Sequence, residues 1–162
     1  MMGIMTRRTR QNHGLEHATV AILMGRGMRP PLGGYSTPGG FFIIGRATTD
    51  EVASAAGDAL ARMKAGHREL AVSPYCGTNL ATGALLAALI SAVVMRRSRS
   101  RFRRVSAAAL AAIGATVGGR PLGQFLQRHF TTLAEVDDLR ITGIRRLMGG
   151  RFTLHRMSTS VD

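Results

Sequence analysis

Three residues near the start of the chain have the types and spacing to do chemistry: His13, Glu16 and His17. Two imidazoles four apart on a helix project from one face about a turn apart, so both can reach one metal ion. Glu16 lies on the same side. His-x-x-Glu-His is a metal-hydrolase pattern in reversed order, in which the carboxylate handles protons beside the ion. A surface or capping pair of histidines has the same spacing, and five residues alone do not separate the two readings. A four-coordinate site needs a third protein ligand and leaves one position open for chemistry. Cys76, His67, Glu69, His129 and His155 are the candidates. Cys76 is the only thiol, and a thiolate suits Zn²⁺ or Fe²⁺, one ion per chain. It sits in a tight Pro74-Tyr75-Cys76-Gly77-Thr78 turn, where a small buried cysteine at a helix start is the plain alternative. Tyr35, Ser36 and Thr37, beside several glycines, are candidates for a substrate-facing loop, with an ordinary Gly/Pro turn as the competing reading.

The elements that must position these groups follow from pattern and punctuation. Asn12 is expected to cap a helix over residues 13–24, closed by Gly25 and Gly27. Met28 to Gly40 reads as a Pro/Gly-rich loop, and Phe41-Phe42-Ile43-Ile44 as a buried strand. Thr48 or Thr49 caps a second helix with Asp50 and Glu51 in its first turn, where acids complement the dipole. Val52, Ala55, Ala56, Ala59, Leu60 and Met63 recur at helical spacing up to Gly66. Glu69 to Ser73 reads as a further strand stopped by Pro74. Near the C-terminus, Leu139 to Ile144 and Phe152 to His155 flank Gly149-Gly150 and predict a β-hairpin.

Composition adds a second theme. The chain has 162 residues, 22 Lys+Arg against 9 Asp+Glu, and a net charge of +13, yet only 19% of its residues are charged. Residues 78–95 form an uncharged run of spanning length, and 105–119 form a shorter one that reaches that length only by continuing through Arg120 and Pro121 towards Gln127. Gly114 and Gly118 make a small-xxx-small pair suited to tight helix contact and to homo-oligomer packing. Between the runs lie Arg96, Arg97, Arg99, Arg101, Arg103 and Arg104. Nucleic-acid patches need basic residues spread over a groove-facing surface. One short arginine linker instead suits the anionic headgroups of a lipid bilayer, so no nucleic-acid partner is expected. The basic start of the chain lacks a signal-peptide core, and an uncleaved N-terminus is expected. A single cysteine excludes an internal disulfide framework and multi-cysteine metal cages. Basic residues flank both sides of the apolar runs in near-equal number, the six loop arginines against Arg62, Lys64, Arg68, Arg120 and Arg128, so the positive-inside rule does not choose an orientation.

In the order His13-Gly14-Leu15-Glu16-His17, Gly40 to Gly45, Asp50-Glu51-Val52-Ala53, Glu69 to Val72 and Cys76-Gly77-Thr78, residues 12–79 resemble the S-ribosylhomocysteine lyase (LuxS) family. That resemblance implies an α+β fold shared with inverted zinc peptidases, a metal on His13, His17 and Cys76, and Glu16 as general acid/base. The catalytic cysteine of that family is absent, and Thr37 stands about where it would be, so the lyase activity is not expected to carry over. The chain is also similar to a group of bacterial membrane proteins with matching Asn12–Ala18, Cys76–Asn79 and Gln127–Thr132 segments. This implies a two-span protein of the bacterial inner membrane. The expected organisation is an α+β metal-site domain over 1–75, a transmembrane hairpin over 76–128 with its basic loop at 96–104, and a C-terminal β-hairpin over 129–162 returning to the first domain. The expected function is a membrane-anchored metal protein acting as a hydrolase or lyase. The alternative is a non-enzymatic membrane subunit or scaffold whose His/Glu/Cys residues are structural.

Overall fold

A computed structural model describes residues 5–97 and 100–162. The chain divides into two compact units, Met1–Ser73 with Arg128–Asp162, and Pro74–Gln127.

The first unit is α+β. Helix α1 spans Arg7–Gly25 and begins earlier than the sequence suggests, because the Thr6 hydroxyl accepts from the Thr9 N–H and takes the cap. Asn12 therefore lies inside the helix, fully buried. Strands β1 (Gly33–Thr37) and β2 (Gly40–Gly45) follow, then helix α2 (Thr49–Lys64), whose Thr48 and Glu51 form the reciprocal capping pair expected of an S/T-x-x-E start. Strands β3 (Leu139–Met148) and β4 (Thr153–Val161) close the chain. All pairings are antiparallel, in the order β1-β2-β4-β3, so the C-terminal hairpin joins the sheet through β2.

Two expectations fail here. Residues 33–37 pair with β2 instead of looping, because Tyr35-Ser36-Thr37 finds the free edge of Phe41-Phe42 across a short turn. Residues 68–71 form a 3₁₀ turn in place of a strand. The four described strands pair without them, and Ala71 is buried in the core with residues of α1.

Phe41, Ile43 and Met157 from the sheet meet Leu15, Ala18 and Leu23 of α1 and Val52, Ala55 and Ala59 of α2 in one core. Burying each of the large apolar side chains stabilises the fold by about 1.5–3 kcal/mol. Strand alternation puts Phe41 and Ile43 inside, while Ile44 stays exposed.

The second unit is a helical hairpin, α3 (Gly77–Arg97) and α4 (Arg101–Leu126, continuing through Pro121), and a π-turn over Gln127–Thr131 follows α4. Its helices meet on glycines at Gly83 and Gly119, not at Gly114 or Gly118. A Cβ added at Gly114 or Gly118 would meet nothing within 4 Å, whereas one at Gly119 would lie 2.7 Å from the Gly83 Cα, and one at Gly123 would run into Asn79. Asn79 is the polar lock of this contact: its carbonyl oxygen accepts from Gln127 Nε2 at 2.8 Å, and its amide donates to the Pro74 carbonyl at 2.9 Å. Gly77–Arg96 is long and apolar enough to cross a membrane. Phe102–Ala115 with Val117–Thr131 meets that standard only as two pieces bent by 45°. Of the loop arginines, Arg96, Arg103 and Arg104 are exposed, Arg97 and Arg101 have helical backbones, and Arg99 lies outside the described residues.

Candidate metal centre

His13, Glu16 and His17 share one face of α1, as their spacing requires. The two imidazole rings stand with centroids 4.3 Å apart and planes inclined by 59°. Each ring is held through Nδ1 by a backbone carbonyl, His13 by Thr131 and His17 by Ala71, both at 2.9 Å. A carbonyl oxygen only accepts, so each Nδ1 carries a proton, and Nε2 is the nitrogen left to ligate a metal. Metal-ligating histidines are oriented in this way, their second nitrogen donating to a carbonyl or carboxylate.

Gly14 explains how those carbonyls come so close. A Cβ there would sit 2.6 Å from the Leu133 carbonyl oxygen and 3.2 Å from Ala71 Cβ, so only glycine lets both segments lie against α1. Neighbouring polar groups of the helix fasten the same contact. Arg10 donates to the His129 and Thr132 carbonyls. Gln11 donates to the Glu135 carbonyl and the Asp138 carboxylate. Asn12 donates to the Thr37 and Pro38 carbonyls and accepts from the Thr159 hydroxyl, tying α1 to the β1–β2 turn and to β4.

Glu16 is 5% exposed. Its carboxylate accepts from the Ser36 hydroxyl at 2.6 Å. Burial pushes the Glu16 carboxyl above the ordinary carboxylate range, while the Ser36 hydrogen bond and the neighbouring His13 pull it back. Gly34 makes room for it, since a Cβ at that position would lie 2.7 Å from Glu16 Cγ and Cδ.

Strand alternation sorts the Tyr35-Ser36-Thr37 segment. Ser36 pairs with Phe41 and faces α1, Tyr35 pairs with Phe42 and is 70% exposed, and Thr37 donates its hydroxyl to the Gly40 carbonyl within the turn. Of the three, only Ser36 joins the histidine–glutamate group.

The other ligand candidates have separate surroundings. His67 pairs with Glu69 at the surface. His155 is fully buried on the sheet and meets Thr49 at the start of α2 through Nε2. Burial and the Arg146 charge hold its imidazole below the ordinary histidine range. Among the described residues of this unit, no further His, Asp or Glu completes a three-ligand group with His13 and His17. Cys76 belongs to the hairpin unit, where its carbonyl accepts from the Asn79 N–H at the start of α3. Its sulfur accepts from the Thr78 N–H at 3.4 Å. The thiol also donates to the Thr78 hydroxyl at 3.4 Å.

The sequence reading missed Gly14, Gly34 and the tertiary use of Asn12. The glycine inside His-Gly-Leu-Glu-His is the one available signal, being costly in a helix unless something packs against it.

A sheet with two packed helices, interrupted by a helical hairpin and carrying paired histidines and a buried glutamate on one helix, defines the class of domain. The chain belongs to the family described as Domain of unknown function (DUF6391), which matches residues 8–144. It is also similar to an uncharacterised protein of Picosynechococcus sp. (strain ATCC 27264 / PCC 7002 / PR-6), 32% identical over 133 residues. That match covers 76% of this chain and 65% of the relative, so the chain spans about two thirds of that protein's length. No solved structure matches the chain.

Proposed function

We propose that this chain is a membrane-anchored metal protein in which His13 and His17, through Nε2, and Cys76, through Sγ, hold one Zn²⁺ or Fe²⁺. The observation that carries the reading is the pair of imidazoles on one helix face, each with its Nδ1–H on a backbone carbonyl. Chain connectivity supports the sulfur as third ligand. Cys76 follows Ala71, whose carbonyl holds His17, by five residues, which limits their separation to about 17 Å even when fully extended. Two imidazoles and a thiolate are a donor set that zinc and ferrous iron accept, with a fourth position left for substrate. The ion would supply Lewis-acid polarisation of a substrate bond. The chain's own part is to hold and move a proton at the Glu16 carboxylate, whose raised affinity for protons suits a general acid/base in a hydrolase- or lyase-type step. Ser36 orients that carboxylate. Thr37 spends its hydroxyl on the turn, donating to the Gly40 carbonyl.

The anchoring half of the proposal is supported by the apolar helix Gly77–Arg96 and by the arginines beyond its end, which suit the headgroups of the bacterial inner membrane. The alternative reading, a non-enzymatic membrane subunit with a structural ion, draws on the same Ser36–Glu16 hydrogen bond, which also serves as a simple buried polar link.

Metal quantification decides the first point. Purified full-length protein should carry about one equivalent, lost in His17→Ala and in Cys76→Ser. Ion content unchanged in both variants refutes the ligand set. Glu16→Gln separates the two roles: it should keep the ion and abolish function if the carboxylate is catalytic, and keep both if the site is structural.

A further inference from the structure

The α3–α4 hairpin carries an open, mostly apolar groove of about 450 Å³. Gly83, Ala84 and Ala87 of α3 and Ala115 of α4 form its walls, and Cys76 and Arg120 also line it. Its origin is local. The helices approach each other at Gly83 and Gly119, and beside that contact the small alanine side chains leave the space unfilled. The volume falls within the range of small-molecule sites, roughly 300–1,000 Å³.

Arg120 is exposed and takes part in none of the ion pairs among the described residues. Pro74–Gln127 contains no Asp or Glu, so no carboxylate of its own unit is there to neutralise it. A guanidinium offers a planar fork of donors that matches a carboxylate two bonds at a time. A greasy groove with one such cation and no anion is complementary to a molecule with an apolar chain and an anionic end.

The geometry points to a binding site in this hairpin for a single-chain anionic amphiphile of the fatty-carboxylate class, its chain along Gly83, Ala84 and Ala87 and its carboxylate on Arg120. Cys76 lines the same groove, so such a ligand lies beside the sulfur proposed to hold the ion. The binding itself does not rest on the metal reading.

The test uses full-length protein in a nonionic maltoside detergent, with cis-parinaric acid as the fluorescent probe and myristate and 1-tetradecanol as competitors. Saturable binding of one probe per chain, displaced by myristate and not by the alcohol, is expected. Arg120→Gln should weaken it by at least about tenfold, Arg120→Lys should recover part of the loss, and Ala84→Phe, which fills the groove from an exposed position, should abolish it. His17→Ala should remove the ion and leave probe binding within about twofold. The proposal is overturned if binding does not saturate, if the alcohol competes as well as myristate, or if Arg120→Gln and Ala84→Phe bind like wild type. Any of these marks simple partition onto an apolar surface. Probe binding as expected on a protein that holds no ion upholds the groove and refutes the metal reading alone. An ion without probe binding overturns the groove and leaves the metal reading standing.

Discussion

At the scale of single residues, space and protonation decide what the site face of α1 and the sheet beneath it tolerate. Gly34 is the sharpest case. Alanine there must displace the Glu16 side chain and also press on the Phe42 carbonyl, 2.5 Å from the added carbon. Gly34→Ala should therefore lower stability by about 1–3 kcal/mol, the range for overpacking a filled interior. Trimming Glu16 to alanine in the same chain should return only part of it, because the backbone contact remains. Thermal unfolding of the single and double variants measures both. His155 sets a pH dependence. Its folded imidazole resists protonation through burial first and the Arg146 charge second. As pH falls through about 6.5 the unfolded chain takes up that proton before the folded one, so stability is complete above that value and declines below it. Unfolding midpoints between pH 7.5 and 5.5 should show this decline, and His155→Leu should flatten it. An unchanged slope in the variant would mean another group is responsible.

At the scale of elements, the hairpin depends on which glycines meet. Gly119 allows the Gly83 backbone to pass, and Gly123 gives Asn79 its place beside Gln127. Gly119→Val should separate α3 and α4 and lower the unfolding temperature, whereas Gly114→Val, at a position open to space, should leave it within a degree or so of wild type. Equal effects at the two positions would refute this helix contact. Glycines at 114, 118, 119 and 123 offer two pairs with the same spacing, and spacing alone does not say which one meets α3; the second pair does, while Gly114 and Gly118 face open space within the chain. β1 was hidden for a related reason: it begins with Gly33-Gly34 and is followed by Pro38-Gly39, both loop composition, and its pairing depends on β2. The 68–71 turn errs in the opposite direction: the short apolar run Leu70-Ala71-Val72 reads as a strand, but Ala71 packs in the core with α1 and no described strand pairs with it.

At the scale of the whole molecule, the chain leaves its α+β unit after Ser73, builds the hairpin and returns at Arg128 to complete the sheet. All nine acidic residues lie in the α+β unit, and the hairpin carries arginine as its only charged residue type. If the hairpin is an anchor, full-length protein should sediment with membranes and resist alkaline carbonate extraction. Release into the soluble fraction would remove the membrane from the proposal and leave the metal centre untouched.

The sequence alone determined the helix that brings His13, Glu16 and His17 to one face, the Thr48–Glu51 cap, the apolar runs and the C-terminal hairpin. Each of these is a matter of local dihedral preference or of a repeat within a few residues. Tertiary structure alone decided which backbone carbonyls hold the two rings through Nδ1, that Ser36 rather than Tyr35 or Thr37 meets the glutamate, and that Asn12 is a tether instead of a cap. The carbonyls that settle the ring nitrogens lie 54 and 118 residues from the histidines they hold. A backbone carbonyl has no side-chain signature, so only the folded chain could place it.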